Sequence, residues 1–233
     1  MEKKIWFRNI CKRNGLEISD IEVDSIEKFS VSLLEWNKKI NLISRRDEEN
    51  IWSKHILGSI ALLFRYQLES GSLVLDLGTG GGLPGIPLSI VRPDLKFTLV
   101  DSIQKKIRAV SDIVETLKLS NVKTICSRVE ELSQKKEFKQ SFDYIISRAV
   151  GPIVDIVGWG KQLLKPSGQV KSVPSNSVIE KGAILLLKGG ELTDEIEAAK
   201  QKTKPRHIFS FPIIIDGLDS TELADKKLVI VYP

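Results

Sequence analysis

The apolar positions of the chain change rhythm near residue 71. Before it they recur at intervals of three and four: Ile26, Phe29, Leu33, Trp36 and Ile40 form one stripe, which predicts a helix over roughly 20–40. Trp52, His55, Ile56, Ser59, Ile60, Leu63 and Tyr66 repeat that spacing behind a capping Asp47 and predict a second helix over 47–66. After Gly71 the apolar residues gather into short, nearly continuous runs: "SLVLDLG" at 72–78, "KFTLVD" at 96–101, "VKTICSR" at 122–128, "FDYIISRAV" at 142–150 and "AILLLKG" at 183–189. Such runs belong to strands buried on both faces. Helical stripes separate them, one opening near Pro84 in "PGIPLSIVR" and one carried by Ile103, Ile107, Val110, Val114 and Leu117. This alternation builds an α/β fold on a parallel sheet. The last two runs, 208–216 and 226–233, are joined by a connection too short for a helical crossover, so they are expected to pair antiparallel at an edge. The segment 169–182 is polar and turn-rich and reads as a loop.

Composition adds bounds. A chain of 233 residues with 42% hydrophobic content suits one fair-sized domain, or one domain with a small appendage. No run approaches a membrane span of ~18 apolar residues, and the charged start "MEKKIWFRNICKRNG" is unlike a secretory signal, so a cytoplasmic protein is expected. Cys11 and Cys126 lie far apart without paired histidines, so neither a disulfide framework nor a metal site is expected. The net charge of +5 leaves two readings open, a solvated basic surface or a nucleic-acid partner.

Candidate chemistry concentrates in "DLGTGGGLPG", residues 76–85, where five glycines and a proline follow a strand and precede a helix. Ligands of open α/β sheets bind at that carboxyl edge, and a backbone without side chains lets them approach closely. Gly80, Gly82 and Gly85 satisfy G-x-G-x-x-G, which would place a pyrophosphate on a helix N-terminus. Asp76 favours a different ligand, S-adenosylmethionine, because a carboxylate two residues before Gly78 can face an ammonium group, directly or through water. Asp101, about twenty residues beyond Gly80, can hold ribose hydroxyls of either ligand. Glu130 follows the third strand, where an adenine edge would lie. Asp101 can also be read as a turn former and Glu130 as a first-turn helix acid.

With these residues assembled, the chain resembles the RsmG or GidB family, the small-subunit ribosomal RNA guanine-N7 methyltransferases. The resemblance rests on "WNKKINLIS", "RD" at 46–47, "HILGS" at 55–59, "DLGTGGGLPGIPLSIVRPD", "TLVDSIQKK", "SRVEEL", "FDYIISRAV" and "LKGGEL" at 187–192, in family order over roughly 20–233. It implies a class I S-adenosylmethionine-dependent methyltransferase sheet (Rossmann-like) with a small N-terminal helical cap, residues 1–66, ahead of a methyltransferase domain, 67–233. The implied partners are the cofactor S-adenosylmethionine and 16S rRNA or the small ribosomal subunit particle, with neither membrane nor metal. Family cofactor contacts would fall on Gly78, Leu83, Val129, Glu130 and Arg148, joining Asp76, Gly80 and Asp101. The basic positions Lys105, Arg128 and Lys188 would meet RNA, and Arg148 would be catalytic unless it only closes a salt bridge at the sheet edge. The family commonly reads R-H-x-x-D-S where this chain has Lys54, His55 and Gly58, so one carboxylate is missing, and His55 reads as a packed helix residue.

What is absent agrees with that reading. Methylation of a pyrimidine carbon needs a cysteine nucleophile, and Cys126 is expected within the third strand, away from the glycine edge. An exocyclic amine acceptor calls for an Asn/Asp-Pro-Pro-aromatic segment where this chain reads "SRAV". Guanine N7 has an exposed lone pair and needs positioning rather than a base. Two other classes stay open at this level, an NAD(P)-dependent oxidoreductase on a Rossmann sheet and a non-catalytic RNA-binding protein of the same fold.

Overall fold

Alternate side chains of each central strand leave for opposite faces, and both faces are apolar. Val74, Tyr144, Ile146, Leu185 and Ile230 join one buried cluster, whereas their neighbours Leu75, Ile145, Leu186 and Val229 join another. A sheet apolar on both sides must be covered on both sides, and helices do so here. The computed structural model describes residues 2–168, 170, 172–173, 177–219, 223 and 225–233.

Two helices come first, α1 (Glu2–Arg13) and α2 (Asp20–Asn37). Ser19 and Glu22 start α2 with a capping box: the Ser19 hydroxyl accepts from the Glu22 N–H at 3.3 Å, and the Glu22 carboxylate accepts from the Ser19 N–H at 2.6 Å. The stripe read from sequence is the face α2 buries, through Ile26, Phe29 and Leu33. The basic first residues form α1, which buries Phe7, Ile10 and Cys11. Two of its cations pair with α2, Lys4 with Asp24 and Glu27, and Arg8 with Asp20.

The stretch expected as one helix over 47–66 is not one. A 3-10 turn at Arg45–Asp47 is followed by a π-helical segment at Ile51–Leu57, a single α turn, α3 (Gly58–Ile60), and another 3-10 turn at Ala61–Phe64. The cause is burial: every residue from Ile51 to Phe64 except Lys54 is buried, so no single face faces the core, and packing overrides the local period.

A short strand, β1 (Tyr66–Leu68), precedes the sheet strands β2 (Leu73–Leu77), β3 (Lys96–Asp101), β4 (Val122–Cys126) and β5 (Tyr144–Arg148). Then come β6 (Ser177–Ile179), β7 (Ala183–Gly189), β8 (His207–Pro212) and β9 (Lys226–Tyr232). The seven-stranded sheet has the order β4-β3-β2-β5-β7-β9-β8, parallel from β4 to β7, with β9 antiparallel to both its neighbours. The antiparallel edge read from sequence is thus formed. The expected loop 169–182 is corrected in part: residues 169, 171 and 174–176 lie outside the described residues, but Ser177–Ile179 form β6, which pairs in parallel with β1. The Tyr144 hydroxyl fixes it by donating to the Ile179 carbonyl at 2.5 Å.

Helices α4 (Gly85–Val91), α5 (Gln104–Thr116), α6 (Val129–Gln134), α7 (Ile153–Gly160) and α8 (Thr193–Thr203) complete the layers. The N-terminal helices lie on the α4/α5 side, and Trp36 of α2 donates to Asp112 of α5 at 2.8 Å. Among the described residues no helix is long and apolar enough to cross a membrane. With β3 on one side of β2 and β5 on the other, the chain reverses direction across the sheet at β2 and leaves a crevice at the carboxyl ends of these strands.

Candidate functional site

The crevice is shaped by the loop from β2 to α4. Its first turn hangs on β3: the Gly78 and Thr79 N–H groups donate to the Val100 carbonyl at 2.8 and 2.9 Å. Gly78 has φ +73°, and a Cβ there would lie 2.2 Å from Val150, so both conformation and space demand glycine. The loop's far end hangs on Asp76, whose Oδ2 accepts from the Thr79 hydroxyl at 2.6 Å and from the Gly85 N–H at 2.9 Å. Gly85 sits so close to that carboxylate and to Leu99 that a Cβ would lie 2.6 and 2.3 Å from them. Asp101, at the end of β3, accepts from the Gly80 and Ile103 N–H groups at 3.0 and 2.9 Å.

These bonds leave a cavity of about 580 Å³, within the roughly 300–1,000 Å³ of small-molecule sites. Gly78, Gly80, Leu83, Asp101, Val129, Glu130 and Arg148 all line it, so the structure brings together most of the residues singled out from sequence. Asp76 does not line it. Its carboxylate is fully buried behind the loop, burial pushes its pKa up to about 7, and Oδ1 lacks a hydrogen-bond partner. Of the basic positions, Arg128 lines the cavity; Lys105 is exposed at the start of α5 and its neighbour Lys106 lines the cavity instead. Lys188 lies in a second cavity, where it pairs with Glu195 and donates to the Gly151 carbonyl at 2.8 Å.

Sequence reasoning missed Trp159 and Leu42, which also line the first cavity. Leu42 arrives because buried Asn37 accepts from the Leu42 and Ile43 N–H groups at 2.8 and 3.0 Å, fixing the turn after α2. An Asn closing a helix before "KKINLIS" was the available signal. Trp159, from α7, had none. Cys126 needs correcting: it ends β4 opposite Asp101, at the glycine edge, but its side chain is exposed and does not line the cavity.

Arg148 joins this cavity to the second one, of about 380 Å³, since both Arg148 and Ala149 line both. The guanidinium is held from the N-terminal region. One nitrogen donates to the His55 carbonyl at 3.2 Å and the other to His55 Nδ1. Burial lowers the Arg148 pKa to about 10, which leaves it charged near neutrality. The same burial, helped by Arg148, lowers His55 to about 4, so the imidazole is neutral. A neutral ring that accepts at Nδ1 carries its proton on Nε2, which is buried, unpartnered, and 3.8 Å from Asp47 Oδ2. His55 is therefore more than a packed helix residue: it orients Arg148.

The model of one protein family, described as rRNA small subunit methyltransferase G (GidB), matches residues 22–211. The chain belongs to that family. Proteins named ribosomal RNA small subunit methyltransferase G share 37% identity over 96% of this chain and 88% of the Chlorobium chlorochromatii protein, and 41% over 75% of this chain and 78% of the Bacteroides fragilis protein. Among solved structures, a SAM-dependent methyltransferase from Aquifex aeolicus matches with a TM-score of 0.55 at 14% identity, over 85% of this chain and 97% of that one. The M. jannaschii TYW2 structure in complex with AdoMet gives 0.52 at 14%, over 83% and 77%. The fold is thus the class I S-adenosylmethionine-dependent methyltransferase fold, and the protein is a methyltransferase; the oxidoreductase alternative falls.

The His55–Arg148 contact has a pH signature. His55 titrates near 6.5 when unfolded and about 4 when folded, so between those values the unfolded chain binds the extra proton at this residue and the contribution of His55 to stability falls as pH falls, against the opposite contribution of Asp76, whose raised pKa has the folded chain bind the extra proton. The loss at His55 reaches up to about 3 kcal/mol. As pH falls across that window, the unfolding free energy of the unsubstituted protein should drop relative to that of His55→Gln; identical slopes would show that His55 is not held neutral.

Proposed function

We propose that the protein transfers a methyl group from S-adenosylmethionine to N7 of a guanine in 16S rRNA, free or within a small-subunit particle, in the cytoplasm. The observation that carries this reading is Arg148 standing between two cavities, one of them walled by the glycine loop. The first cavity suits the cofactor. Backbone at Gly78, Gly80 and Leu83 admits close approach, and Asp101 holds the ribose with lone pairs its two backbone bonds leave free. Val129 and Glu130 face the adenine, alongside Ile103, an apolar side chain that is 40% exposed at the cavity and would be covered by a bound ring. Asp76 acts from behind, by shaping the loop.

S-adenosylmethionine supplies a sulfonium-activated methyl group. The N7 lone pair lies in the ring plane and carries no proton, so the acceptor requires alignment and no general base. That fits a site whose ionisable residues orient and shape rather than relay protons. Arg148 aligns the reactants. Arg128 and Lys106 at the cavity mouth, with Lys105 beside them, meet RNA phosphates; Lys188 contributes from the second cavity only as far as Glu195 releases it. Residues 1–66 serve as a helical region that places His55 and Leu42, and 67–233 as the catalytic domain.

Methylation at N7 leaves a delocalised positive charge that makes the base sensitive to borohydride reduction and aniline scission. Small-subunit RNA or particles incubated with enzyme and cofactor should gain one such guanine, and Arg148→Ala should lower the yield about a hundredfold. Label recovered only as methylcytidine or an N6-methyl base would overturn the acceptor assignment. Asp101→Ala should weaken cofactor binding at least tenfold, from charge-assisted hydrogen bonds of about 1.5–3 kcal/mol; equal affinities by titration would remove Asp101 from the site.

A further inference from the structure

The second cavity has a composition that the cofactor does not explain. It is bounded by the π-helical segment and α3 on one side, the ends of β5 and β7 beneath, and Ile213 and Leu223 on the other. Leu187, Ile213 and Leu223 supply apolar walls. Gly58 opens it further: a Cβ at that helical position would meet Leu223 at 3.7 Å and Arg148 at 4.0 Å, ordinary contacts, so a larger side chain would grow into the cavity. Its polar side chains are Asp47, His55 and the cations Lys54, Arg148, Lys188 and Lys226, so Asp47 is the one carboxylate among the described residues that line it. Asp47 Oδ1 accepts from Lys54 Nζ at 2.9 Å, while Oδ2 accepts from no described residue. His55, nine-tenths buried, presents an Nε2–H without a partner. The wall shared with the first cavity is Arg148 and Ala149.

We infer that this second cavity receives the acceptor guanine, turned out of its stack, with the Asp47 carboxylate reading the N1–H and N2–H edge. The inference deepens the function proposed above and rests on it. Enzymes that act on a base commonly extrude it between apolar side chains and read its Watson–Crick edge. Guanine presents two adjacent N–H donors on that edge, which a carboxylate accepts together; adenine and cytosine each set a lone pair beside a single amino group. Asp47 is kept ionised for this task, since its bond to Lys54 holds its carboxyl below the usual range. With N1 and N2 at Asp47, the opposite edge of the ring, bearing N7, faces the Arg148–Ala149 wall and the cofactor beyond. The guanidinium is the donor for O6, leaving the N7 lone pair free. In the transfer N7 forms a bond to the methyl carbon, the carbon–sulfur bond breaks, and its electron pair stays on sulfur; no proton moves.

The test uses the full-length enzyme, S-adenosylmethionine, and reconstituted small-subunit RNA carrying either guanine or inosine at the acceptor position mapped with the unsubstituted enzyme. Inosine keeps N7 and N1–H but lacks the N2 amine. The unsubstituted enzyme should lose at least tenfold in kcat/KM on inosine. Asp47→Asn should be at least tenfold slower on guanine and show no further loss on inosine, with cofactor affinity within twofold of the parent. Gly58→Phe should bind cofactor normally and transfer methyl at least a hundredfold more slowly; Leu223→Trp fills the same space from the other wall if Gly58→Phe does not fold. An inosine penalty that persists in Asp47→Asn, or normal transfer by either filled variant, overturns the inference while the N7 product stands. Absence of any N7-methylguanine from the unsubstituted enzyme would instead remove the function on which it rests.

Discussion

At the end of β2 the chain must pass from strand to helix while leaving its backbone bare toward a ligand, and buried carboxylate hydrogen bonds hold it in that path. Asp76 accepts from Thr79 and Gly85 and Asp101 from Gly80, so the loop is tied at its start, middle and finish. Each bond asks something of the sequence around it. Gly85 is glycine because the Asp76 carboxylate and Leu99 leave no room for a Cβ, and Gly78 because Val150 fills the space on the β5 side. Burying Asp76 is unfavourable to its charge, as its raised pKa records, and the two donors offset this in part. A loop fixed before the ligand arrives loses little freedom on binding.

The same constraint reaches the N-terminal region. Leu33 of α2 lies against the position a Cβ would take at Gly81, and Leu42 lines the first cavity. From the other side of the crevice His55 grips Arg148 through its carbonyl and ring. The helical region therefore touches both cavities, and a change in it reaches the site through the glycine loop at Gly81 and through Arg148.

Much of this was legible in the sequence. The strands of the central sheet are nearly continuous apolar runs because both faces are covered, and that signal needs no tertiary information. The stripe Ile26, Phe29, Leu33 emerged for the equivalent reason on a helix buried along one face. The segment 51–64 misled because burial on all sides erases the contrast that periodicity depends on. Ser177–Ile179 escaped because three residues pairing with three others carry too little pattern to be seen. Within the site, residues on the loop and at strand ends were recovered from their place after each strand. The Asp47–His55–Arg148 arrangement was not, since it forms only when the end of β5 comes against the N-terminal region, and neither was Trp159, which enters the first cavity from α7 with no local signal. Asp76 was found as a residue but placed on the wrong side of the loop, because sequence does not say which face of β2 an end residue takes.

On the function proposed above, the β2–α4 loop is a cofactor cradle already formed in the free protein, with the methyl group presented toward Arg148. A crystal structure of the enzyme with S-adenosylmethionine tests it most directly. The expected result is unchanged backbone from Gly78 to Leu83, ribose hydroxyls on Asp101, and the sulfonium methyl facing the wall formed by Arg148 and Ala149. A loop rebuilt around the ligand, or a cofactor seated in the cavity of Asp47 and His55, would contradict it.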